Sequence, residues 1–438
     1  MNYKTKRTLG WIVLLALSLI PIYLLFAFGP AGNELSDYSS VTHTLGEVFG
    51  LVGMTMFALT FVLSTRIKWI EDVFGGLDKV YLAHGILGGT ALIVILAHPI
   101  FLVLKFIPSD FVTAAMYLLP SSFWSVNFGI IALLGMVILI GITLFSKMKY
   151  HRWKFTHEFL GLIFLFAVFH IFLVRGVASK DNIFNGYYIY SAIVSIIGLS
   201  AFSYSLFLKN RMIKNAVYNI EKIYNEKDVF EIIITPEHKP ISYQSGQFVF
   251  VRFYNQNLSK EAHPFSIASK SNDPRMKIIV KKLGDYTSKM THLKIGDKVS
   301  VEGPYGRFHF RNYHNENQVW IAAGIGITPF MGMAEDIENE KIKSNVRLYY
   351  TAKNDSDFVG YNLFSRIARS LSNFKFIPWK SEEKGRITAE EIIKNKEDLK
   401  NTQFLLCGSG QFKEGIIDGL VNAGVKKSMI HEEAFDFR

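Results

Sequence analysis

Cysteine is almost absent: Cys407 stands alone among 438 residues. With nothing to pair with, it excludes a disulfide framework, and a Cys-ligated metal centre goes with it. Charge is scarce too, at 19% of residues, while half the chain is hydrophobic and 37 residues are Phe. That balance excludes a disordered chain, a coiled coil and an ordinary soluble enzyme, because so much apolar surface needs lipid as its solvent. No EF-hand, low-complexity extension or basic activator-binding tail is present, so no obligatory protein activator is expected.

The scarcity of charge is uneven. Residues 1–214 hold 16 Lys/Arg and 9 Asp/Glu, whereas residues 215–438 hold 32 and 28. A membrane half is therefore followed by a soluble half. Six apolar stretches stand out in the first: Leu9–Phe28, Leu45–Leu63, Val80–Leu104, Phe123–Phe145, Phe155–Val174 and Tyr187–Leu208. Each is near the ~20 residues that cross a bilayer core of about 30 Å. The first is longer than a signal-peptide core and reads as a retained span.

Thirteen basic residues flank one side of these spans: Lys4, Lys6, Arg7, Arg66, Lys68, Lys79, Lys147, Lys149, Arg152, Lys154, Lys209, Arg211 and Lys214. Only Lys105, Arg175 and Lys180 flank the other. The positive-inside bias predicts six spans with both termini cytoplasmic. The net charge of +11 thus serves topology, and no nucleic acid is expected as a partner.

Ionisable residues within spans mark function, and here they are nearly all histidine. His84 and His98 lie on the third stretch, His157 and His170 on the fifth. Both stretches run outward, so a spacing of 14 residues (about 21 Å) on one matches 13 (about 20 Å) on the other. His84 can face His157 near the cytoplasmic side, and His98 can face His170 near the outer side. A lone intramembrane His commonly bonds a neighbouring carbonyl; two matched pairs instead suit two stacked six-coordinate haems. His43 and His151 fall at loops and are read as ordinary. Thirteen residues do not return to one helix face, so the fifth span needs a bend, a local widening or a broad bundle interior.

The His-x13-His and His-x12-His constellation resembles the ferric reductase-like transmembrane domain shared by NADPH oxidases and ferric reductases. The resemblance implies that His84, His98, His157 and His170 ligate two b-type haem irons.

It continues into the soluble half. Strand-like alternation at Phe230–Ile234, Phe248–Phe253, Lys277–Lys281 and Lys298–Val301, with Gly and Pro turns between, predicts a small antiparallel barrel. His263-Pro264-Phe265-Ser266 resembles the flavin signature of this family. The resemblance implies that Phe265 packs on FAD and the Ser266 hydroxyl approaches its N5 edge. His263 stands where other members have Arg, so Lys281 and Lys282 are expected to supply positive charge. Leu283 to Ser288 resembles the companion phosphate loop, with Gly284 amides and the Thr287 hydroxyl towards the phosphates.

The strand Gln318–Ala323 runs into Gly324-Ile325-Gly326-Ile327-Thr328-Pro329 and a helix Phe330–Asn339, a turn that suits a diphosphate at a helix N-terminus. Ending in Pro, it is similar to the Gly-x-Gly-x-x-Pro of the same reductases. The strand Thr402–Leu406 leads to Cys407-Gly408, similar to the motif that borders the nicotinamide. A small buried thiol accounts for Cys407 equally well. Family members end with an aromatic ring over the flavin; Phe435 is the choice and Phe437 the fallback, an edge strand with alternating Phe being the plain alternative. After Leu348–Thr351, Lys353 and Arg366 favour a 2′-phosphate while Asp355 and Asp357 sit between them, which leans towards NADPH over NADH.

The fold expected is an all-α six-helix membrane bundle with two haems (1–214), an antiparallel β-barrel FAD domain (215–312) and an α/β NAD(P)-binding domain (313–438). The resemblance implies a prokaryotic plasma-membrane oxidoreductase that passes electrons from cytoplasmic NAD(P)H through FAD, the inner pair and the outer pair. Phe435 and Cys407 would flank the hydride step. The acceptor expected is O2, giving superoxide, with a ferric chelate as the alternative and an extracytoplasmic protein as the second alternative. Leu102 stands where eukaryotic oxidases carry a further His, which weakens that carry-over. Arg175 either attracts an anionic group or anchors the fifth span.

Overall fold

The computed structural model describes residues 3–28, 37–107, 109–178, 186–208, 216–313, 317–340, 344–394 and 399–433. The chain forms two compact units.

The first is helical: α1 (Tyr3–Phe28), α2 (Tyr38–Ser64), α3 (Lys68–Phe74), α4 (Leu77–Leu104), α5 (Phe111–Met116), α6 (Trp124–Phe145), α7 (Tyr150–Glu158), α8 (Leu160–Ala178) and α9 (Gly186–Ser203), the last widening into a π turn over Tyr204–Leu208. Five segments are long and apolar enough to cross a membrane: Tyr38–Ser64, Leu77–Leu104, Trp124–Phe145, Tyr150–Val174 and Tyr188–Leu208. In α1 the apolar part is the shorter Thr8–Leu24. A capping box starts α2: the Ser40 amide donates to Asp37 Oδ1 at 2.7 Å and the Asp37 amide donates to Ser40 Oγ at 3.2 Å, satisfying two of the orphan donors of a helix start. This helix is the most buried of the five and packs along α1 and α9, while α6 packs along α8.

The fifth apolar stretch is two helices, not one. At Phe159 the backbone tightens: the Phe159 amide bonds the Thr156 carbonyl at 3.2 Å and the Leu162 amide bonds the Phe159 carbonyl at 3.0 Å. These are three-residue spacings of the 3-10 kind, turning about 120° per residue against about 100° in an α-helix. The tight turn lies between His157 and His170 and advances the second towards the face of the first. This helix break stands between the two histidines, where the sequence left a bend, a local widening or a broad interior open. Local widening is the wrong sense, because widening would carry His170 further off that face.

The second unit holds two sheets. Strands β1 (Ala216–Glu226), β2 (Val229–Pro236), β3 (Phe248–Tyr254), β4 (His263–Ser266), β5 (Met276–Lys281) and β6 (Lys298–Tyr305) form one, ordered β4-β3-β6-β1-β2-β5, with every pairing antiparallel. Alternate residues Phe230, Ile232 and Ile234 of β2 are buried with Val249, Val251 and Phe253 of β3 in one core, the period-2 pattern of a half-buried strand. Just past β4, Ile267 bridges to Ile278 of the opposite edge strand β5, and the Ala268 amide donates to the Lys277 carbonyl at 2.9 Å.

The other sheet is parallel, ordered β11-β10-β7-β8-β9, from β7 (Asn317–Ala323), β8 (Asn345–Ala352), β9 (Phe374–Lys380), β10 (Thr402–Cys407) and β11 (Ile430–Glu432). The chain leaves β7 towards β8 and β9, then returns on the other side for β10. The carboxyl ends of β7 and β10 therefore flank a topological switch point, where open α/β sheets bind ligands.

Candidate functional site: paired histidines and a two-sheet nucleotide centre

The four intramembrane histidines form two pairs. The rings of His84 and His157 have centroids 6.0 Å apart with planes crossing at 63°, and those of His98 and His170 stand 6.1 Å apart at 77°. Each ring is turned by a bond at Nδ1. His84 donates to the Thr60 carbonyl at 2.9 Å, His98 to the Gly46 carbonyl at 2.7 Å and His170 to the Ser125 carbonyl at 2.7 Å. A carbonyl only accepts, so the proton sits on Nδ1 and the ring lone pair on Nε2. His157 Nδ1 lies 3.1 Å from the Thr143 hydroxyl, which itself donates to the Leu139 carbonyl at 2.8 Å.

This is the arrangement in which a ligating imidazole gives its other N–H to an outer partner. A metal–imidazole bond is about 2 Å, so two rings on one iron through Nε2 stand roughly 6 Å apart between centres. Both pairs fit a bis-histidine haem. Among the described residues no cluster of three or more His, Cys, Asp or Glu could hold a free metal ion. The side chain of Arg175 lies outside those described.

In the antiparallel sheet, β4 places His263 to Ser266 against β3, with Phe265 opposite Val249. Ser266 is buried, and Phe265 packs edge-on to Phe253 at 6.4 Å. The His263 ring stacks on Tyr286 at 3.6 Å and its Nε2 lies 3.4 Å from a Glu261 carboxylate oxygen. Burial pulls its pKa below the usual 6.5, against the opposing pull of Glu261. A neutral ring stacked this way shapes the site and adds no fixed positive charge. Lys281 ends β5, half-buried, while Lys282 donates to the Lys227 carbonyl at 2.7 Å. In the loop that follows, the Thr287 hydroxyl accepts the Leu283 and Gly284 amides at 3.0 and 3.1 Å. Thr287 thus organises its own loop.

At the switch point Gly324 has φ +53, a left-handed conformation that suits glycine. Thr328 Oγ closes the turn on the Ile325 carbonyl at 2.6 Å, and Pro329 follows, buried, in the first turn of the helix Thr328–Glu340. Cys407 is fully buried, and burial, then Glu433, holds its thiol well above the ordinary range. It is a neutral group. A Cβ on Gly408 would press on Phe412 at 2.8 Å.

A cleft of about 280 Å³ opens here, its walls including Gly324, Lys353, Ser381, Arg386 and Ser409. Arg386 is the residue that sequence reasoning missed: it follows β9, one strand beyond the segment inspected for a 2′-phosphate partner. Arg366 is turned away, paired with Glu338 at 2.6 Å. Lys353 pairs with Glu382 at 3.2 Å, and Asp355 with Lys380 at 2.8 Å. Buried Lys413 was missed as well; its Nζ donates to the Glu433 carbonyl at 2.8 Å and pairs with Glu432 at 2.9 Å. Glu433 so held reaches the neighbourhood of Gly306, where a Cβ would stand 3.5 Å from Glu433 Oε1. Phe435 and Phe437 lie outside the described residues.

Three families match consecutive parts of the chain. Residues 49–168 match a ferric reductase like transmembrane component, 212–309 an FAD-binding domain and 320–417 an oxidoreductase NAD-binding domain. The reductase component of propane 2-monooxygenase from Mycolicibacterium smegmatis is 22% identical over 225 residues, 48% of this chain and 64% of its own length. Dual oxidase 1 of Caenorhabditis elegans is 26% identical over 247 residues, 53% of this chain and 15% of its own. The chain thus spans less than two thirds of either relative. A flavohemoglobin from Malassezia yamatoensis with bound FAD and heme shares the fold at 16% identity and a TM-score of 0.50, over 92% of this chain and 99% of its own.

Proposed function

We propose that this chain, an integral membrane oxidoreductase that belongs to the NADPH oxidase and ferric reductase superfamily, spans the membrane six times, carries two b-type haems and moves electrons outward from cytoplasmic NADPH to O2. The observation that carries this reading is the pair of histidine pairs, 6.0 and 6.1 Å between rings, each His bonded at Nδ1. When bound, FAD takes a hydride and the haems relay single electrons; the protein sets distance and orientation.

The residues divide that work. Gly324 and Gly326 admit the nucleotide diphosphate at the helix Thr328–Glu340, and Arg386 meets its 2′-phosphate at the cleft wall. Asp355, which would disfavour that phosphate, is occupied by Lys380. In the antiparallel barrel, Phe265 and Ser266 hold the flavin ring, and Lys281 with the Gly284 loop faces its phosphates. The strand end at Cys407 and Gly408 borders the nicotinamide, the Cys407 thiol itself being fully buried. His84 with His157 clasps the inner iron, and His98 with His170 the outer.

Two histidines on each iron would leave no open position, so the acceptor would react at the edge of the outer haem, held by His98 and His170. A one-electron donor there would supply superoxide chemistry, the balance being one NADPH and two O2 to NADP+, a proton and two superoxide ions. Difference spectra test the core of this, with two b-type haems per chain expected and both reduced by NADPH without air. A colourless protein would overturn it. On admitting air, superoxide dismutase should suppress the reduction of a ferric chelate; undiminished reduction makes the chelate the acceptor.

A further inference from the structure

The outer histidines are each seated on a glycine of a neighbouring helix, and we propose that Gly50 and Gly129 are positioning residues that set the ring planes of His98 and His170. The proposal rests on the bis-histidine haem reading above. His98 donates to the carbonyl of Gly46 on α2, and His170 to that of Ser125 on α6. In both cases a glycine follows four residues later. A Cβ on Gly50 would stand 2.8 Å from His98 Nδ1, and one on Gly129 2.7 Å from His170 Nδ1. Each is closer than the 3.0 Å that real Cβ atoms keep.

The spacing has a geometric cause. In an α-helix the amide of residue i+4 bonds the carbonyl of residue i, and the Cβ at i+4 tilts back towards the N-terminus. For the approaches that His98 and His170 take, a side chain at i+4 would therefore stand against the ring, whereas His84 reaches the Thr60 carbonyl past Ser64. Glycine opens those two approaches, and an imidazole can bond a carbonyl already used by its own helix. The atom a new Cβ would strike is Nδ1 itself, the atom that makes the bond. Any substitution must turn the ring or break the bond that turns it.

The inner pair is held by other means. His84 bonds the Thr60 carbonyl, four residues before Ser64, and His157 meets the Thr143 hydroxyl. The glycine socket belongs to the outer pair alone, so disturbing it acts on one haem.

Two nearby glycines supply the controls. On α2, a Cβ at Gly53 would meet Ile95 Cγ1 at 2.3 Å; on α6, one at Gly135 would meet Ile163 Cδ1 at 2.3 Å. Both press on aliphatic side chains and not on histidine.

The test uses the full chain with haem and flavin, comparing Gly50→Ala and Gly129→Ala with Gly53→Ala and Gly135→Ala. Flavin reduction by NADPH reports that each variant is folded. Ferric low-spin resonance spectra read the ligand planes, and transfer to apomyoglobin reads haem retention. We expect the first two variants to shift the signal of one haem and to release it at least tenfold faster, the size of an outer-shell loss. The controls should keep both haems. Two unaltered signals in Gly50→Ala and Gly129→Ala, or an equal loss in the controls, overturns the socket. Absence of haem from the unsubstituted protein would instead overturn the function proposed above.

Discussion

Gly326 lies against the backbone of Cys407: a Cβ there would stand 2.4 Å from the Cys407 carbonyl oxygen and 2.8 Å from the Gly408 nitrogen. The carboxyl ends of β7 and β10 can approach this closely only because the turn between β7 and its helix carries no side chain at that point. Two motifs 81 residues apart in the chain become one surface.

Gly326→Ala should therefore damage nucleotide binding before it damages folding. Its Cβ meets the Cys407–Gly408 peptide, backbone that cannot swing away as a side chain tip can. The turn must shift, and the diphosphate loses its seat. The KM for NADPH should rise tenfold or more, about 1.4 kcal/mol of binding, with flavin content unchanged. A KM within twofold of the parent would show that the turn does not carry the nucleotide.

Removing the outer ligands separates the two halves. His98→Ala and His170→Ala should each lower haem from two per chain to one and stop superoxide formation, while NADPH still reduces a soluble dye through the flavin. Transfer outward that survives either substitution would mean that these histidines do not hold the outer iron.

Much of this site is visible in the sequence because its spacing is short-range. His-x13-His and His-x12-His are counted along single helices, and the signatures at His263 and Gly324 each sit on one strand end. What the sequence hides depends on a second element. The tight turn at Phe159 comes from backbone bonds over a stretch of ordinary residues. The glycine sockets need both a histidine and the neighbouring helix that faces it. Arg386 is reached through the order of strands, since β9 must lie beside β8 before its following loop can line the same cleft. Arg366 misled because it follows β8 closely in sequence, yet its helix turns it to Glu338. Strand β11, Ile430–Glu432, pairs parallel to β10, while Phe435 and Phe437 beyond it lie outside the described residues; that Lys413 fastens β11 was not legible.

A buried cluster gives the reductase half a pH dependence. His309 is fully buried and donates from Nδ1 to the Ser245 carbonyl at 2.9 Å. Asp336 receives the Ser245 and Ser271 hydroxyls at 2.6 and 2.5 Å. Burial draws the pKa of His309 below its usual 6.5; the Ser245 bond, Asp336 and Glu340 oppose this, and Arg311 adds to it. The unfolded chain thus binds more protons than the folded one between the lowered value and 6.5. The contribution is complete above the unfolded value and is lost as pH falls below it. Flavin-monitored melting at about pH 7.5 and about pH 5.5 should show a drop on acidification. His309→Asn keeps a donor near Nδ1 but does not titrate, and should shrink the drop. An equal drop in both proteins would assign the effect to another group.

Arg386 is expected to discriminate between NADPH and NADH. It lines the cleft beyond β7 and β8 with Lys353 and Ser381, and it is exposed. Lys353 is shared with Glu382, so Arg386 is the cation on that wall best placed to pair with a dianionic phosphate. Arginine suits the task, because its planar fork bonds phosphate oxygens two at a time. Such a charged hydrogen bond contributes about 1.5–3 kcal/mol, which is roughly a tenfold to hundredfold preference. Arg386→Ala should lower kcat/KM for NADPH by at least tenfold and leave that for NADH within about twofold. Because NADH lacks the 2′-phosphate, a loss shared equally by both nucleotides would trace to a disturbed cleft and not to phosphate recognition. An unchanged ratio would move the specificity to Lys353, and Lys353→Ala would then carry the effect.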